Sequence, residues 1–573
     1  DRRQRQMCIR DRGNSSRTYS SISQSNTNNS SYSLRGQLSY SDVYREIHRF
    51  SVLAGAEIRG EKAEGIFEKR YGYDPVTGNS AMPVPKDPGN GEGFKYSDLV
   101  SYANAMDQLS GQEIEENRFA SFYGALDYSL FDRYVLNVSF RTDGSNNFGS
   151  DEQFNPTWSA GAVWHVSEET FMEVVRPVLS RLSLRVATGY TGNINKTVKP
   201  NLMMKYYKNF RISDDENYRM GYINNAPNPK LRWEKTRDVK VALDFGLWKD
   251  RINGIVEAYW RKSKDCVTSE YVPVTTGFFN QSYNTSVLQN NGVEFSLSVA
   301  VLKSKDYNLS VSANVAWNQN KLKKYNSPNT SLALDKYVGY PMGAVFSGKY
   351  EGIDPETGMY KFKLRPDAVT NKDGYLREPN NYYYYLGTSV APFTGGFNLN
   401  FSYKNIGLSV GGSYSVKAKM VDNIESPAGY ELLSGSKLES IPTPHNDLYR
   451  NHLNVKREVR NRWTPENRTG VKYPRLIDAY GKKLGLDLTN PTLTTITRGA
   501  LLEDISYLRI NTIALSYSLP QRVLERINFS SAALNLTLNN FFTITKYSGI
   551  DPEVPGATYP VSRSVTIGLN VGF

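Results

Sequence analysis

Hydrophobic and polar residues alternate one by one along much of this chain, most regularly at its end. Over residues 565–573, Val565, Ile567, Leu569, Val571 and Phe573 point one way, and Thr566, Gly568, Asn570 and Gly572 the other. A period of two sustained over such a run belongs to a strand rather than a helix. Comparable runs predict strands at 30–41, 47–58, 119–128, 134–141, 158–166, 182–190, 239–247 and 254–261. More follow at 293–301, 307–317, 396–403, 406–416, 507–518 and 533–540, about fifteen in all and far above the strand content of a mixed domain.

The connections between these strands alternate in length. Short joins such as SDVYR, SLFDR, GLWKDRI, LKSKD and KN take turns with long ones at 59–116, 191–238, 262–292, 318–395 and 417–506. Two joins of middling length, 167–181 and 520–531, fall on the short side. Strict alternation of this kind is the signature of an up-and-down transmembrane barrel, with tight periplasmic turns and long extracellular loops. A sandwich or propeller has no reason to keep that parity, and no repeat at the blade period of roughly 40–50 residues is visible.

Composition narrows the class. The chain has 573 residues, 39% hydrophobic and 22% charged, with a mean hydropathy of −0.52. No window approaches the ~18 apolar residues of a membrane-spanning helix, which excludes a helical membrane protein but not a barrel, whose strands need only about ten alternating residues. The 40 tyrosines fit aromatic girdles at the two membrane interfaces. The net charge of +12 invites a nucleic-acid reading, but the basic residues are scattered, with no basic helix or finger spacing, and no nucleic-acid partner is expected. Part of that charge sits in the opening DRRQRQMCIRDR, whose five Arg and two Asp carry a net +3. Residues 1–14 are expected to be a non-native leader, leaving 15–573 as one barrel portion. Cys8 leaves with the leader, and Cys266 alone supports neither a disulfide framework nor a cysteine metal site.

Several motifs, in order along the chain, now resemble one family. They are Arg141-Thr-Asp-Gly-Ser-Asn-Asn-Phe148, Phe154-Asn-Pro-Thr-Trp-Ser159, Ser167-Glu-Glu-Thr-Phe-Met172, Asn228-Pro-Lys-Leu-Arg-Trp-Glu-Lys235 and Asn290-Asn-Gly-Val-Glu294. Further on come Arg462-Trp-Thr-Pro-Glu466, Ser506-Tyr-Leu-Arg509, Asn540-Phe-Phe-Thr-Ile-Thr-Lys-Tyr547, Gly549-Ile-Asp-Pro-Glu553 and the terminal strand. Together they are similar to the SusC/RagA-like TonB-linked transporters of Bacteroidetes outer membranes. The resemblance implies an all-β, antiparallel up-and-down barrel in the outer membrane, energised through TonB and paired with a SusD-like surface lipoprotein. Its implied cargo is oligosaccharide or peptide, and its terminal strand would serve as the signal for the barrel-assembly machinery. The family's signal peptide, TonB box, plug and first strands would lie before Ser15, so the chain is expected to be the C-terminal part of a larger barrel. A siderophore or vitamin receptor of the TonB-dependent class, and a secreted β-rich carbohydrate-binding protein or adhesin, stand as alternatives.

No catalytic constellation is evident, and no cofactor or metal is expected. His48, His165, His445 and His452 are scattered, and Glu168 and Glu169 are adjacent, so they are not a paired acid and base but residues of a periplasmic turn. Gly89 to Gly93 lack the Gly-Lys-Ser/Thr of a phosphate loop. Asp143, Asn146, Asn147 and Asp151 have a calcium-loop composition without its spacing, and turn chemistry accounts for them. The run Tyr382, Tyr383, Tyr384 and Tyr385 is a candidate for stacking on sugar rings or meeting a lipoprotein lid; the plainer expectation is an interfacial girdle or a packed loop base. Val565, Ile567, Leu569, Val571 and Phe573 are expected to form a lipid-facing row.

Overall fold

Alternation of apolar and polar residues builds strands whose two faces differ, and here those strands pair in chain order. The computed structural model describes residues 21–71, 76–79, 110–195, 198–206, 221–278, 280–325, 337–356, 358, 360–367, 382–421, 461–471, 498–555, 557 and 559–573. The leader 1–14, the glycines at 89–93, and His445 and His452 lie outside the described residues. The strands are β1 (Ser21–Tyr44), β2 (His48–Tyr71), β3 (Ser110–Leu130), β4 (Tyr134–Ser145), β5 (Phe154–His165), β6 (Leu179–Asn193), β7 (Met203–Tyr206) and β8 (Gly221–Asn225). They continue with β9 (Glu234–Leu247), β10 (Ile252–Tyr271), β11 (Asn280–Lys303), β12 (Tyr307–Lys324), β13 (Ala344–Gly348), β14 (Tyr350–Ile353), β15 (Tyr360–Phe362) and β16 (Tyr383–Thr388). The last are β17 (Phe393–Tyr403), β18 (Ile406–Val416), β19 (Lys419–Val421), β20 (Leu502–Asp504), β21 (Tyr507–Ser518), β22 (Ser531–Thr545) and β23 (Ser564–Gly572).

Fifteen of these form one sheet in the order β1-β2-β3-β4-β5-β6-β9-β10-β11-β12-β17-β18-β21-β22-β23, and the rest make four two-stranded hairpins, β7 with β8, β13 with β16, β14 with β15 and β19 with β20. Each of the fifteen expected strands is present, and the sheet is antiparallel throughout. It is open, with β1 and β23 at its two edges. Several strands run well past their expected ends. The stretch 59–116, expected to be a loop, contributes residues to both β2 and β3, and β1, β2 and β11 are 24 residues each. That is about 80 Å of extended chain, where crossing a bilayer takes about ten residues.

Register carries one apolar row from strand to strand. Val565 on β23 faces Leu538, which faces Ile513, and the row continues through Val410, Leu399, Val311, Val299 and Ile252. A parallel row runs from Val293 through Ala258, Val241, Val186, Ala162, Leu136 and Tyr128 to Phe50. Members of these rows stand partly open, Val565 at 56% exposed and Val186 and Val293 at 42% each, and the same face continues onto β1, where Leu38 is 82% exposed. A contiguous aliphatic surface across fifteen strands requires an apolar neighbour, and lipid supplies it. The belt starts at the short turns and ends partway up. On β2 its face reads Phe50, Val52, Ala54, Ala56 and Ile58, then Lys62 and Glu64, which pair with one another. Beyond that level the strands overhang the membrane.

The opposite face is polar and lies over hollows of about 520 and 440 Å³ lined by residues such as Ser296, Ser312, Asn314, Asn398, Ser409 and Asn535. Several of its charges are paired: Arg185 with Asp244 at 2.6 Å, Lys240 with Glu257 at 3.1 Å, Arg261 with Asp238 at 2.9 Å and Arg141 with Asp143 at 2.7 Å. From β17 to β23 the same face holds mainly Ser, Asn, Thr and Gly.

The short turns place consecutive ordinary residues in the left-handed region, Arg45 and Glu46, Phe131 and Asp132, and Trp248 to Asp250. This geometry matches the right-handed twist of paired strands, and the tight hairpins offset its local cost. At the same end, Glu169 sits between two short 3₁₀ turns, Val166–Glu168 and Thr170–Met172. Its carboxylate accepts bonds from Tyr134 (2.5 Å), Trp164 (3.0 Å) and Arg133 (3.3 Å). The Tyr134 hydroxyl, then the Trp164 indole, hold its pKa below the usual carboxylate value. Phe573 packs edge-on against Phe529 at 5.1 Å, tying the end of β23 to the connection before β22.

Candidate functional site

At the long-loop end, motifs far apart in sequence are brought together. Phe148, which closes the Arg141 block, stacks on Trp233 of the Asn228 block with centroids 4.6 Å apart. The Gly149 amide donates to the Leu231 carbonyl at 2.9 Å, and a Cβ at Gly149 would lie 1.8 Å from the Pro229 carbonyl oxygen. Only glycine permits that approach. The same segment is stitched to β11 and β10: Asn284 accepts from the Arg232 amide (3.0 Å) and donates to the Arg232 and Asp265 carbonyls (2.7 and 2.8 Å), while the Arg232 guanidinium meets Asp265 at 2.7 Å. Leu231 and Trp233 are buried beneath. Gly149→Ala is expected to cost about 1–3 kcal/mol through forced backbone displacement; faster protease cleavage around 146–153 and 226–233 is the readout.

The residues with calcium-loop composition have protein partners in this junction. Asp143 takes the Ser121 hydroxyl (2.5 Å) and Arg141 (2.7 Å). Asn146 accepts from the Arg118 amide (2.9 Å), and Asn147 bonds Asn117 (2.8 Å) and the Lys199 ammonium (2.9 Å). Among the described residues no group of three or more His, Cys, Asp or Glu is gathered for a metal ion. His48 meets the Tyr128 hydroxyl at 2.8 Å and His165 the Ser183 hydroxyl at 2.9 Å.

A second junction joins Ser506-Tyr-Leu-Arg509 to Gly549-Ile-Asp-Pro-Glu553. Arg509 is 2% exposed, and its guanidinium meets Asp551 and, at 2.9 Å, Glu553. Asp551 also accepts the amides of Glu553 (2.9 Å) and Val561 (3.0 Å). Burial alone would raise the Asp551 pKa. The amide bonds from Glu553 and Val561, with Arg509 added, outweigh it and leave the carboxyl below its ordinary value.

The tyrosine run lies in a third structure over this end. Tyr383, Tyr384 and Tyr385 lead β16, opposite Gly348, Ser347 and Phe346 of β13, with Tyr382 just before. Tyr383 is buried, and the Tyr384 hydroxyl donates to the Leu364 carbonyl at 2.9 Å. They therefore sit in a packed loop base, not in an interfacial girdle. Tyr385 belongs to an aromatic cluster: it lies 4.9 Å from Tyr340 and 5.7 Å from Phe346, which meets Tyr340 and Tyr337 edge-on at 5.0 and 4.8 Å. Tyr385 and Tyr340 keep open surface, 40% and 37% exposed. Partial burial, then the neighbouring Tyr340, raises the Tyr385 pKa, so its hydroxyl is a neutral donor and acceptor at ordinary pH. Two open rings backed by others can stack on flat apolar faces of a ligand. Tyr340 and Phe346 were not legible as partners of the run, because some forty residues of loop separate them.

On the terminal strand, Val565, Ile567 and Leu569 stand exposed opposite Leu538, Leu536 and Leu534, Val571 faces Ala532, and Phe573 ends the row.

Comparison with known proteins places this architecture among relatives. Residues 2–433 match the family described as TonB dependent receptor-like, beta-barrel. The chain is 25% identical to TonB-dependent receptor P26 of Formosa agariphila, over 94% of this chain and 52% of that protein. It is 26% identical to TonB-dependent receptor SusC of Bacteroides thetaiotaomicron, over 91% of this chain and 48% of that protein. The solved structure of the RagAB peptide transporter aligns with a TM-score of 0.74 at 24% identity, covering 96% of this chain and 56% of that one. The chain thus spans about half the length of the curated relatives it matches.

Proposed function

Because the chain belongs to the TonB dependent receptor-like β-barrel family, whose place is the bacterial outer membrane, we propose that it forms the wall of an active importer of oligosaccharides or peptides. In this reading the long loops face outward under a SusD-like surface lipoprotein, TonB supplies the energy, and the terminal strand through Phe573 is the feature the barrel-assembly machinery engages. The family is one of receptors and transporters rather than enzymes. The observation that carries the proposal is the long-loop end itself. Two motif junctions pin parts of it together, and Tyr340 and Tyr385 keep open aromatic surface there. Rings held from behind bind a sugar face or an apolar peptide side chain without first ordering a loop.

The test is uptake by cells carrying the full native importer. Tyr340→Ala combined with Tyr385→Ala is expected to lower uptake of the cognate glycan or peptide about thirtyfold, since each stacked ring contributes on the order of 1 kcal/mol. The amount of barrel in the outer membrane should stay constant. Unchanged uptake at equal barrel levels removes these tyrosines from the ligand path.

A further inference from the structure

On the lipid-facing side of β9 to β12, just above the apolar belt, basic residues stand side by side without acids. Arg237 of β9 lies directly opposite Lys262 of β10, and Lys235 opposite Lys264. Lys262 in turn faces Gln289 of β11, which faces Lys321 of β12. Like charges in direct cross-strand register repel. None of these five forms an ion pair with a described residue. The same strands match every arginine and lysine of the polar face within the belt, Lys240 to Glu257 and Arg261 to Asp238. Above the belt on β2 and β3 the outward charges are mixed and paired, Lys62 with Glu64 and Arg118 with Glu116. Among these outward charges the unpaired cations lie on β9 to β12.

The height of this row identifies what would match it. One outward position lower on the same strands stand Val239, Trp260, Asn291 and Gln319, and below them Val241, Ala258, Val293 and Trp317. Tyr190 flanks the row on β6, opposite Arg237, with Trp158 beside it. Indoles and phenols mark the edge of the hydrocarbon, and one outward position is about 6 Å along a strand. The basic groups thus sit where lipid phosphates lie, and their flexible stems allow them to reach outward from the wall.

We infer that Arg237, Lys262 and Lys321, with Lys235 and Lys264 behind them, form a binding site for the phosphorylated headgroup of a lipid in the leaflet on the long-loop side. This rests on the barrel's place in the membrane and on the outward orientation proposed above. Charge complementarity and continuity with the lipid-facing belt together favour lipid over a soluble anion or a protein.

The experiment reconstitutes the full native protein in phosphatidylcholine nanodiscs doped with a phosphorylated glycolipid, or with the same lipid after dephosphorylation, and counts co-purifying lipid by mass spectrometry. Heat-modifiable migration in gels reports barrel insertion in parallel. The phosphorylated lipid should be enriched over its dephosphorylated form, and Arg237→Gln, Lys262→Gln and Lys321→Gln should each reduce that enrichment about fivefold. Arg118→Gln, whose charge is already matched, should leave it unchanged. Enrichment equal to the parent's when Arg237→Gln, Lys262→Gln and Lys321→Gln are combined, or equal retention of both lipids by an inserted parent, overturns the site. Displacement of the lipid by an equimolar amount of inorganic phosphate overturns the lipid assignment. A parent that does not insert sinks the membrane reading and the site with it.

Discussion

Leu569→Lys should destabilise the inserted barrel by about 2–4 kcal/mol, while a lysine at the adjacent Asn570 should cost little. The difference follows from which face each side chain occupies. Leu569 is 67% exposed and continues a row through Leu534 and Tyr517, so a lysine there places an ammonium in hydrocarbon near the middle of the belt. Asn570 points to the polar face, where water and neighbouring serines and asparagines receive the charge. Val571 lies closer to the short-turn end, opposite Ala532, and its lysine variant should fall between the two as the side chain reaches the interface. Urea titration of the barrel in lipid vesicles measures all three. Equal midpoints for Leu569→Lys and Asn570→Lys would reject the two-faced assignment of β23.

Arg509→Met is expected to cost about 3–5 kcal/mol, because it strands a buried carboxylate rather than because the ion pair is intrinsically strong. With Arg509 at 2% and Asp551 at 6% exposure, water does not replace the lost partner. Adding Asp551→Asn to Arg509→Met should recover part of the loss, since the amide removes the stranded charge and keeps an oxygen for the Glu553 or Val561 amide. The pH dependence has a definite sign. The folded-state pKa of Asp551 is lowered, so its contribution is fully present above the ordinary carboxylate value of about 3.9 and disappears as pH falls through the lowered one. Protease access to 546–563 should therefore increase only in acid for the parent. In Arg509→Met the opening should move to higher pH, because burial then acts on Asp551 without the guanidinium.

The strands and the faces they present were legible because a bilayer imposes one rule on every segment: apolar outward, polar inward, period two. Where that rule ends, legibility ends with it. The first part of β1, Ser-Ile-Ser-Gln-Ser-Asn-Thr-Asn-Asn, is a strand with polar residues on both faces, because it lies above the belt, and nothing in its alternation announces it. The tight turns were legible as short joins, but their conformation was not, for a related reason. Phe131-Asp132 and Trp248-Lys249-Asp250 adopt left-handed conformations without the Asn-Gly or Asp-Gly that usually signals them. Motif order exposed the family, yet not that Gly149 presses on Pro229 or that Arg509 seeks Asp551, since contacts between distant loops leave no periodic trace. The tyrosine run was visible as a cluster along the chain. Its partner Tyr340 became visible only when β13 paired with β16.

The matched charges of the polar face have a consequence for anything moving past it. Although the whole chain carries +12, several charges of the wall formed by β2 to β11 stand in short ion pairs, and β17 to β23 add mainly neutral amides and hydroxyls. Such a wall is a set of local dipoles whose potential decays well within a Debye length of about 10 Å. On the import reading proposed above, a solute beside these paired stretches is neither drawn in nor repelled at range by its own sign, and its passage there should tolerate wide changes in ionic strength.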